Sequence, residues 1–438
     1  MQEVNIALIG TGVIAHTHME YYGGMEGVHI VAACDLNEKK LHAFCDKWRI
    51  PNRYTDYREL LKRDDIHAVD VCLHNNLHAP ISIAVMAAGK HCYCEKPMAG
   101  SYTDAAAMRE AASHYGVKLH IQLAMIYGGP AIAAKKLVDA GRLGKIYHAR
   151  SYGYRRRGRP FVDGYAEKEF VSAHWAGHGA LFDMGVYHIS RLLYLLGTPK
   201  VERISGAVYQ ELAMDAKRRA ESGYDVEELG AGFVKFEGGL TMDILESWAI
   251  HGGEFPLSSL YGSEGGIQFA VIGGEPSLKY YSELEGYPAE TALDIPAEQF
   301  RRLQLNPELA VYERCQSHWI GALRGACEQI DTPYIALQTM LISEGIFLSG
   351  KLGREITADE IPALSASNAI RRQDAPFGEL TYPAHPFYKR KSRAEAPKVG
   401  IHVGDDGNRP VDSGRITIRP YKNGGLSGCR ARRLDAPS

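Results

Sequence analysis

The first 122 residues alternate between short apolar runs and amphipathic stretches. The apolar runs predict strands at 4–9, 29–34, 68–73, 91–94 and 118–122, and the stretches between them predict helices at 16–22, 38–48, 58–63, 80–88 and 103–115. Strands separated by helices are typical of a parallel sheet covered by helices on both faces. We therefore predict an α/β, doubly wound domain over residues 1–122.

A glycine turn links the first strand to the first helix. Residues 10–15 read GTGVIA, and the second strand ends at Asp35. Gly10 permits the tight turn, Gly12 lets the backbone approach a pyrophosphate, and the helix N-terminus presents free N–H groups to phosphates. An acid at the end of the second strand binds ribose hydroxyls and repels a 2′-phosphate, which predicts NAD as the cofactor. The predicted cofactor-binding residues here are Gly10, Thr11, Gly12, Val13, Ile14 and Asp35.

Two later strand ends carry polar side chains. The run HNNLH at 74–78 follows the strand at 68–73, and EKP at 95–97 follows the strand at 91–94. Ligands bind open α/β sheets outside the carboxyl ends of the strands. The predicted cofactor-binding residues therefore also include His74, Asn76, His78, Glu95 and Lys96.

The pattern changes after residue 122. A helix at 130–140, a strand at 146–154 and a strongly patterned helix at 180–196 are followed by alternating segments at 201–210, 232–236, 240–249, 258–261 and 266–271. These segments predict an open, mainly antiparallel sheet. Helices are predicted at 308–330 and 335–350, with the second returning to pack near the first domain. We predict a substrate-binding and oligomerisation domain at 123–374, and a Pro-, Gly- and Arg-rich tail at 375–438 without its own core.

Composition narrows the class of protein. The 438 residues carry 50 basic and 52 acidic side chains, so no general attraction to nucleic acid or membrane is expected. An apolar run long enough to span a bilayer is absent from the sequence. The eight cysteines lie mostly in apolar, strand-like runs, which favours reduced core residues over a disulfide framework. We expect a soluble, cytoplasmic protein.

The chain resembles the Gfo/Idh/MocA family of oxidoreductases. Four stretches carry the resemblance: GTGVIA at 10–15, HNNLH at 74–78, GKHCYCEKP at 89–97 and LFDMGVYHISRLLYLLG at 181–197. The resemblance covers about residues 3–362. It implies a Rossmann domain, a C-terminal α/β domain with an open antiparallel sheet, and NAD(P)-dependent oxidation or reduction of sugars and polyols.

The resemblance also assigns roles to single residues. Lys96 matches the lysine of the EKP motif, beside the nicotinamide and the reacting hydroxyl, and Asp183 matches the aspartate of the D-x-G motif. Tyr187 stands where many members have a histidine as general base. His188 lies one step further, turned by about 100° around the helix, so it does not simply replace that base. The predicted catalytic residues are Lys96, Asp183 and Tyr187, and His188 is expected to form a hydrogen bond in the core or at an interface.

Removal of a hydroxyl proton works best with a group whose pKa lies near 7. Partial desolvation and a neighbouring cationic nicotinamide are expected to lower the pKa of Lys96 toward that range. The substrate-binding residues are predicted to be Lys96, Gln122, Arg156, Asp183 and Tyr187.

The run RRRGR at 155–159 has two interpretations. It is a solvated loop or subunit contact, or it is a clamp for an anionic group of the substrate, since guanidinium forks match carboxylates and phosphates. His174 and His178 have helical spacing near Asp183, but the glycines around His178 make a poor helix, and no metal is predicted.

Three functions remain open from the sequence. The first is an NAD-dependent dehydrogenase that oxidises a secondary hydroxyl of a sugar, glycoside or cyclitol. The second is a redox-neutral, NAD-dependent glycosidase that acts through a transient 3-keto intermediate. The third is a non-catalytic NAD-binding sensor. The expected partners are a carbohydrate or polyol, with an anionic group under the clamp interpretation, and further copies of the chain in a dimer or tetramer.

Overall fold

A six-stranded parallel sheet forms the N-terminal part of the chain. The computed structural model describes residues 3–253 and 257–382. The strands follow the order β3-β2-β1-β4-β5-β6, the order of a dinucleotide-binding domain. The strands are β1 (Val4–Ile9), β2 (Val28–Cys34), β3 (Asn52–Tyr54), β4 (Ala68–Val71), β5 (His91–Cys94) and β6 (Leu119–Ile121). The helices between them are α1 (Val13–Tyr22), α2 (Glu38–Trp48), α3 (Tyr57–Leu61), α4 (Asn75–Ala87) and α5 (Tyr102–Tyr115).

A nine-stranded sheet follows, in the order β14-β13-β12-β11-β7-β10-β9-β8-β15. Its strands are β7 (Ile146–Tyr154), β8 (Val201–Tyr209), β9 (Leu229–Phe236), β10 (Thr241–Ser247), β11 (Ser259–Gly262), β12 (Gly266–Ile272), β13 (Glu275–Leu284), β14 (Tyr287–Ala292) and β15 (Ile356–Thr357). The β7–β10 pair is parallel, and the other neighbouring strands in this sheet pair antiparallel. The predicted α/β class, with a doubly wound parallel sheet and a mainly antiparallel second sheet, is confirmed.

The remaining elements are mostly helices around the second sheet. They are α6 (Gly129–Asp139), α7 (Ala173–Ala176), α8 (Ala180–Asp183), α9 (Gly185–Leu195), α10 (Ala216–Ser222), α11 (Ile295–Leu305), α12 (Cys315–Leu323), α13 (Thr332–Leu352) and α14 (Ile361–Leu364), with a hairpin of β16 (Arg372–Ala375) and β17 (Gly378–Thr381). None of the helices in the described part of the chain is both long and apolar enough to cross a membrane.

Several predicted element bounds are wrong. The single helix predicted at 308–330 is a 3₁₀ turn followed by α12, which ends before Gly325, a residue with φ +69°. The helix predicted at 180–196 is divided at Met184 into α8 and α9. Strands β3, β13 and β14 were not predicted, because their short or largely exposed segments lack a clear apolar alternation.

Helix α4 begins five residues before its predicted start and therefore contains Pro80. Proline has no N–H, so it cannot bond to the carbonyl four residues earlier. That carbonyl belongs to Asn76, and it accepts instead from the N–H of Ile370 at 3.1 Å. A distant segment thus satisfies the group that the proline leaves unpaired.

Helix α13 joins the two sheets, as predicted for this region. It packs against β8 on one side and α5 on the other. Glu344, on its buried surface, accepts a hydrogen bond from the N–H of Tyr102 at 2.6 Å and another from the hydroxyl of Ser365 at 3.0 Å. This carboxylate caps the start of α5 and ties both domains to the segment after α14.

The predicted tail at 375–438 begins within the β16–β17 hairpin. Tyr382, which follows the hairpin, is buried and stacks on Tyr57 with ring centroids 6.0 Å apart. Residues 383–438 lie outside the described residues, so the prediction that the tail lacks a core stays a prediction.

Gly10 and Gly12 form a matched pair for testing backbone constraint. Gly10 has φ +95°, and an added Cβ would lie 2.2 Å from the carbonyl oxygen of Cys72, whereas an added Cβ at Gly12 meets nothing within 4 Å. We predict that Gly10→Ala lowers the free energy of unfolding by about 2–4 kcal/mol and that Gly12→Ala lowers it by less than about 1 kcal/mol. Denaturant unfolding of both variants checks this, and equal losses would contradict the assigned turn geometry.

Candidate active site

The glycine turn leaves an open surface at the start of α1. Gly12 is the N-cap, no side chain caps the helix, and the first-turn residues Val13 and Ile14 are 82% and 38% exposed. Uncapped N–H groups beside an exposed backbone bind a phosphate well, because the positive end of the helix dipole lies there. The turn therefore fits the pyrophosphate of a dinucleotide.

Asp35 is held at the end of β2 by three backbone and side-chain donors. Its Oδ2 accepts from the N–H of Thr11 at 2.9 Å and from the Thr11 hydroxyl at 2.8 Å, and its Oδ1 accepts from the N–H of Asn37 at 2.8 Å. These bonds fix the carboxylate beside the glycine turn. The position suits an acceptor for ribose hydroxyls.

The start of α4 forms the next part of the cleft. Asn76 donates through Nδ2 to the carbonyl of His174 at 3.0 Å, while its buried Oδ1 has no partner within the described residues. A buried acceptor without a partner fits a ligand N–H or O–H. His74, the N-cap of α4, packs against Trp175 at a centroid distance of 5.4 Å, and burial lowers its pKa.

Two predicted cofactor-binding residues have other contacts. His78 is fully buried, and its ring nitrogens contact the carbonyls of Pro97 at 2.8 Å and Leu73 at 2.9 Å. It therefore braces α4 against the EKP turn. Glu95 is also buried, and its carboxylate contacts His18 and the N–H of Lys96. A role of either residue in cofactor binding stays a prediction.

Lys96 and Asp183 form an ion pair across the two domains. The Lys96 Nζ lies 2.9 Å from Asp183 Oδ1 and 3.3 Å from the Asp183 carbonyl oxygen. The side chains are only 13% and 22% exposed. Tyr187 lies on the same side, with its ring centroid 4.4 Å from the ammonium. The three predicted catalytic residues thus come together, although they are separated by up to 91 positions in the chain.

A fourth residue completes this group. Trp248, which is 1% exposed, donates through Nε1 to Asp183 Oδ2 at 2.9 Å. Burial acts to raise the pKa of Asp183, but Lys96 and Trp248 outweigh it, and the pKa is lowered. Sequence reasoning missed Trp248, because nothing in a sequence links a residue after β10 to a short helix 65 positions earlier.

The protonation of Lys96 differs from the sequence expectation. Burial acts to lower the pKa of Lys96, but Asp183, Tyr187 and Glu95 together raise it. Lys96 is therefore an ammonium in this structure. The Asp183 carboxylate at 2.9 Å stabilises the charged form and outweighs the desolvation on which the expectation partly rested. The lowering expected beside a bound nicotinamide stays a prediction.

Tyr187 and His188 point to different environments. His188 contacts the buried Glu246 through Nδ1 at 3.0 Å, on the face of α9 that packs on the sheet. The Lys96 ammonium lies over Tyr187 instead. The hydrogen bond expected for His188 is present. Asp183 and Tyr187 both contact the Lys96 ammonium.

The arginine run divides into residues with different roles. Arg156 is exposed, whereas Arg159 is fully buried and pairs with Asp163 at 2.9 Å and Glu228 at 2.9 Å. Arg155 is the member whose charge helps to lower the pKa of Asp183. Neither interpretation from sequence fits Arg159, which holds the loop together. Arg155 is the arginine that acts on Asp183, and substrate binding by Arg156 stays a prediction.

The remaining predicted positions are easily placed. Gln122 accepts a hydrogen bond from the Tyr93 hydroxyl at the end of β6. His174 lies in α7, which ends before Gly177, so His174 and His178 do not share a helix face. The His178 ring instead packs on Phe182 and Phe347, each at a centroid distance of 4.4 Å.

Family models match both parts of the chain. Residues 4–123 match the model described as "Oxidoreductase family, NAD-binding Rossmann fold", and residues 131–268 match the "GFO/IDH/MocA C-terminal domain". Together they span more than half of the 438 residues.

Several curated relatives are named as sugar dehydrogenases. The chain is 26% identical over 255 residues to D-glucoside 3-dehydrogenase of Escherichia coli, covering 57% of this chain and 71% of that protein. It is 30% identical over 213 residues to levoglucosan dehydrogenase of Pseudarthrobacter phenanthrenivorans, covering 45% of this chain and about half, 52%, of that protein. D-Apiose dehydrogenase of Paraburkholderia graminis is 24% identical and matches over 84% of this chain and 94% of its own length.

Solved structures show the same fold. Levoglucosan dehydrogenase in complex with NADH and levoglucosan superposes with a TM-score of 0.69 at 21% identity, covering 82% of this chain and all of that one. GenD2 from gentamicin A biosynthesis, in complex with NAD, gives a TM-score of 0.62 at 22% identity, covering 82% of this chain and 97% of that one. With its NAD-binding Rossmann domain and its matched C-terminal domain, this chain belongs to the GFO/IDH/MocA oxidoreductase family.

Proposed function

We propose that this protein is an NAD⁺-dependent dehydrogenase that oxidises a secondary hydroxyl of a sugar, glycoside or cyclitol. The observation that carries the proposal is the Lys96–Asp183 ion pair beside Tyr187, which lies at the strand-end edge of the sheet that also holds the glycine turn. The relatives named as glucoside, levoglucosan and inositol dehydrogenases support the substrate class.

The chemistry divides between cofactor and protein. NAD⁺, when bound, would supply the hydride acceptor. The Lys96 Nζ would orient the substrate hydroxyl and stabilise negative charge on its oxygen. Asp183 holds Nζ in place through Oδ1, and Trp248 holds Asp183 through Oδ2.

The hydroxyl proton must leave during oxidation. Lys96 is an ammonium in its pair with Asp183, so it accepts this proton only after losing one of its own to water. In the reverse direction the same ammonium donates its proton to the carbonyl oxygen. Tyr187, whose ring lies against Lys96, closes the other side of the pocket and can pass the proton through its hydroxyl.

The loop after β7 supplies the far wall of the substrate pocket. Arg155 donates to the Gly158 carbonyl at 3.1 Å and to the Tyr165 hydroxyl, and its charge acts on Asp183. A guanidinium there suits a polyhydroxylated ring and also an anionic substituent on it. The Tyr165 ring, 39% exposed, can stack on the face of a pyranose.

The cysteines and the exposed aromatic residues support proposals about cellular compartment and oligomeric state. We place the protein in the cytoplasm, because its seven described cysteines are unpaired and six of them are buried. We also propose a homo-oligomer, a dimer or tetramer, formed through the face of the second sheet that carries the exposed Phe233 and Tyr209.

NAD⁺ is predicted to bind more tightly than NADP⁺, since the Asp35 carboxylate is fixed where a 2′-phosphate would lie. Asp35→Ala should reduce this preference by at least about tenfold by removing the repulsion. Calorimetric titration of both proteins with both cofactors measures the ratio. Equal or tighter NADP⁺ binding by the natural protein would contradict the assignment.

The oxidation rate is predicted to rise with pH, because the raised pKa of Lys96 keeps the proton acceptor protonated at neutral pH. Asp183→Asn removes the anion that raises this pKa, so its pH–rate curve should move to lower pH while its maximum falls. Identical pH midpoints for the natural protein and Asp183→Asn would count against the ion pair.

Lys96→Ala should lower kcat by about 10²–10⁴-fold with NAD⁺ affinity nearly unchanged.

Tyr187 and His188 provide a comparison of adjacent residues. Tyr187→Phe should lower kcat/KM at least about tenfold, and His188→Gln should lower it less, because His188 contacts Glu246 and not Lys96. Both are assayed with one substrate after thermal melts confirm folding. An inactive His188→Gln beside an active Tyr187→Phe would show that the wrong face of α9 has been assigned.

A further inference from the structure

We propose that His18 is a positioning residue for Lys96, acting through the Glu95 carboxylate that it holds between α1 and the EKP turn. The proposal rests on the proposed function, because it gives His18 a role only if Lys96 works in catalysis. Nothing in the motifs of the sequence pointed to His18.

The contacts of His18 join three separate elements. Its Nδ1 lies 2.8 Å from Asp70 Oδ2 on β4, and its Nε2 lies 2.8 Å from Glu95 Oε1 at the end of β5. His18 and Asp70 are 0% exposed and Glu95 is 6% exposed. Ionisable side chains are rarely buried so completely unless they are paired. Here His18 pairs with both Asp70 and Glu95.

The chain of contacts continues to the catalytic pair. Glu95 Oε2 accepts from the backbone N–H of Lys96 at 2.9 Å, and Lys96 Nζ then reaches Asp183 at 2.9 Å. The charges alternate along this path, from Asp70 through His18, Glu95 and Lys96 to Asp183. Loss of the central imidazole would leave two buried carboxylates facing each other and free Glu95 to turn from the Lys96 backbone.

His18 lies on α1, so its contact with Glu95 joins this helix to the EKP turn. The same ten-residue helix begins at the uncapped glycine turn, where the pyrophosphate of the proposed cofactor would bind. His18 lies in its second half and, through Glu95, fixes that helix to the EKP turn. One buried side chain thus links the helix of the proposed cofactor site to the backbone of Lys96, which is the kind of support that a reactive group requires.

The contacts of the ring also favour the doubly protonated form of His18. A ring nitrogen must carry a proton to bond to a carboxylate oxygen, and His18 faces a carboxylate at each nitrogen. Burial acts to lower the pKa of His18, but Asp70 raises it well above its ordinary value. The pKa of Glu95 is lowered: burial opposes this, and His18 and Lys96 outweigh burial. The other titratable groups around the ring are Tyr22, Cys72, Tyr93 and Cys315.

A metal ion does not explain this cluster. His18, Asp70 and Cys72 lie close enough to share an ion, and they form the one such group within the described residues. Both ring nitrogens are already bonded to carboxylates, however, and the Tyr22 hydroxyl donates to Asp70 at 3.0 Å. The groups satisfy each other as hydrogen-bond partners.

The first arm of the test measures protonation in the natural protein. Nitrogen-15 NMR of histidine-labelled protein at about pH 8 should show both ring nitrogens of His18 protonated. His120, whose pKa burial lowers well below its ordinary value, serves as the internal reference for a neutral ring. A neutral His18 would overturn the proposal, because one carboxyl group would then hold the proton. This arm needs neither cofactor nor turnover.

The second arm measures coupling to Lys96. His18→Gln keeps one amide donor but loses the charge and the second contact, and should lower kcat per NAD⁺-binding site by at least about tenfold, with NAD⁺ affinity changed by less than about twofold. In a Lys96→Ala background, His18→Gln should lower kcat by less than about twofold, because the side chain that His18 positions is then absent. Equal losses in both backgrounds would overturn the proposal.

Two variants on α1 control for packing. His16→Gln changes a histidine of the same helix that accepts from Trp48 at 2.8 Å and touches no carboxylate, so turnover should stay within about twofold. Tyr22→Phe removes only the hydroxyl that donates to Asp70, and it serves as the test variant if His18→Gln does not fold. A loss of kcat seen only when Lys96 is present supports the proposal. Equal losses of kcat in the Lys96 and Lys96→Ala backgrounds overturn it. Full turnover by Lys96→Ala alone would remove the catalytic role of Lys96, and with it the role of His18, while the NMR result would still stand.

Discussion

The ion pair between Lys96 and Asp183 joins the two domains at the candidate active site, and the other contacts around the site support it. Lys96 belongs to a turn at the edge of the parallel sheet, and Asp183 ends a short helix beside the second sheet. The pair is mostly buried, so its attraction is weakly screened and an unpaired member would be costly. The contact therefore links the two domains at the candidate active site.

Each member of the pair has its own support from a different part of the chain. Trp248 holds the second oxygen of Asp183, and Glu95 holds the backbone of Lys96. Glu95 is in turn held by His18, on the helix that begins at the glycine turn. Arg159, buried against Asp163 and Glu228, fixes the loop that carries Arg155. The Lys96 ammonium is thus supported by residues from both domains, which limits its motion.

Sequence patterns predicted the parts of this arrangement that depend on local order. The glycine turn, Asp35 and the EKP turn are each read from a few consecutive residues. Trp248 and the His18–Asp70 contact could not be predicted, because they join residues 65 and 52 positions apart through tertiary packing. The raised pKa of Lys96 in the protein without cofactor could not be predicted for the same reason, since the distance to Asp183 is a property of the folded chain.

The ionised Lys96–Asp183 pair can be observed on the lysine itself. Nitrogen-15 NMR of lysine-labelled protein without cofactor, followed over pH, reports the titration of the Lys96 ammonium, identified by its loss in Lys96→Ala. We expect a signal that stays protonated above the ordinary lysine pKa of 10.5 and that titrates at lower pH in Asp183→Asn. A Lys96 amine that loses its proton near neutral pH, or one unaffected by Asp183→Asn, would contradict it.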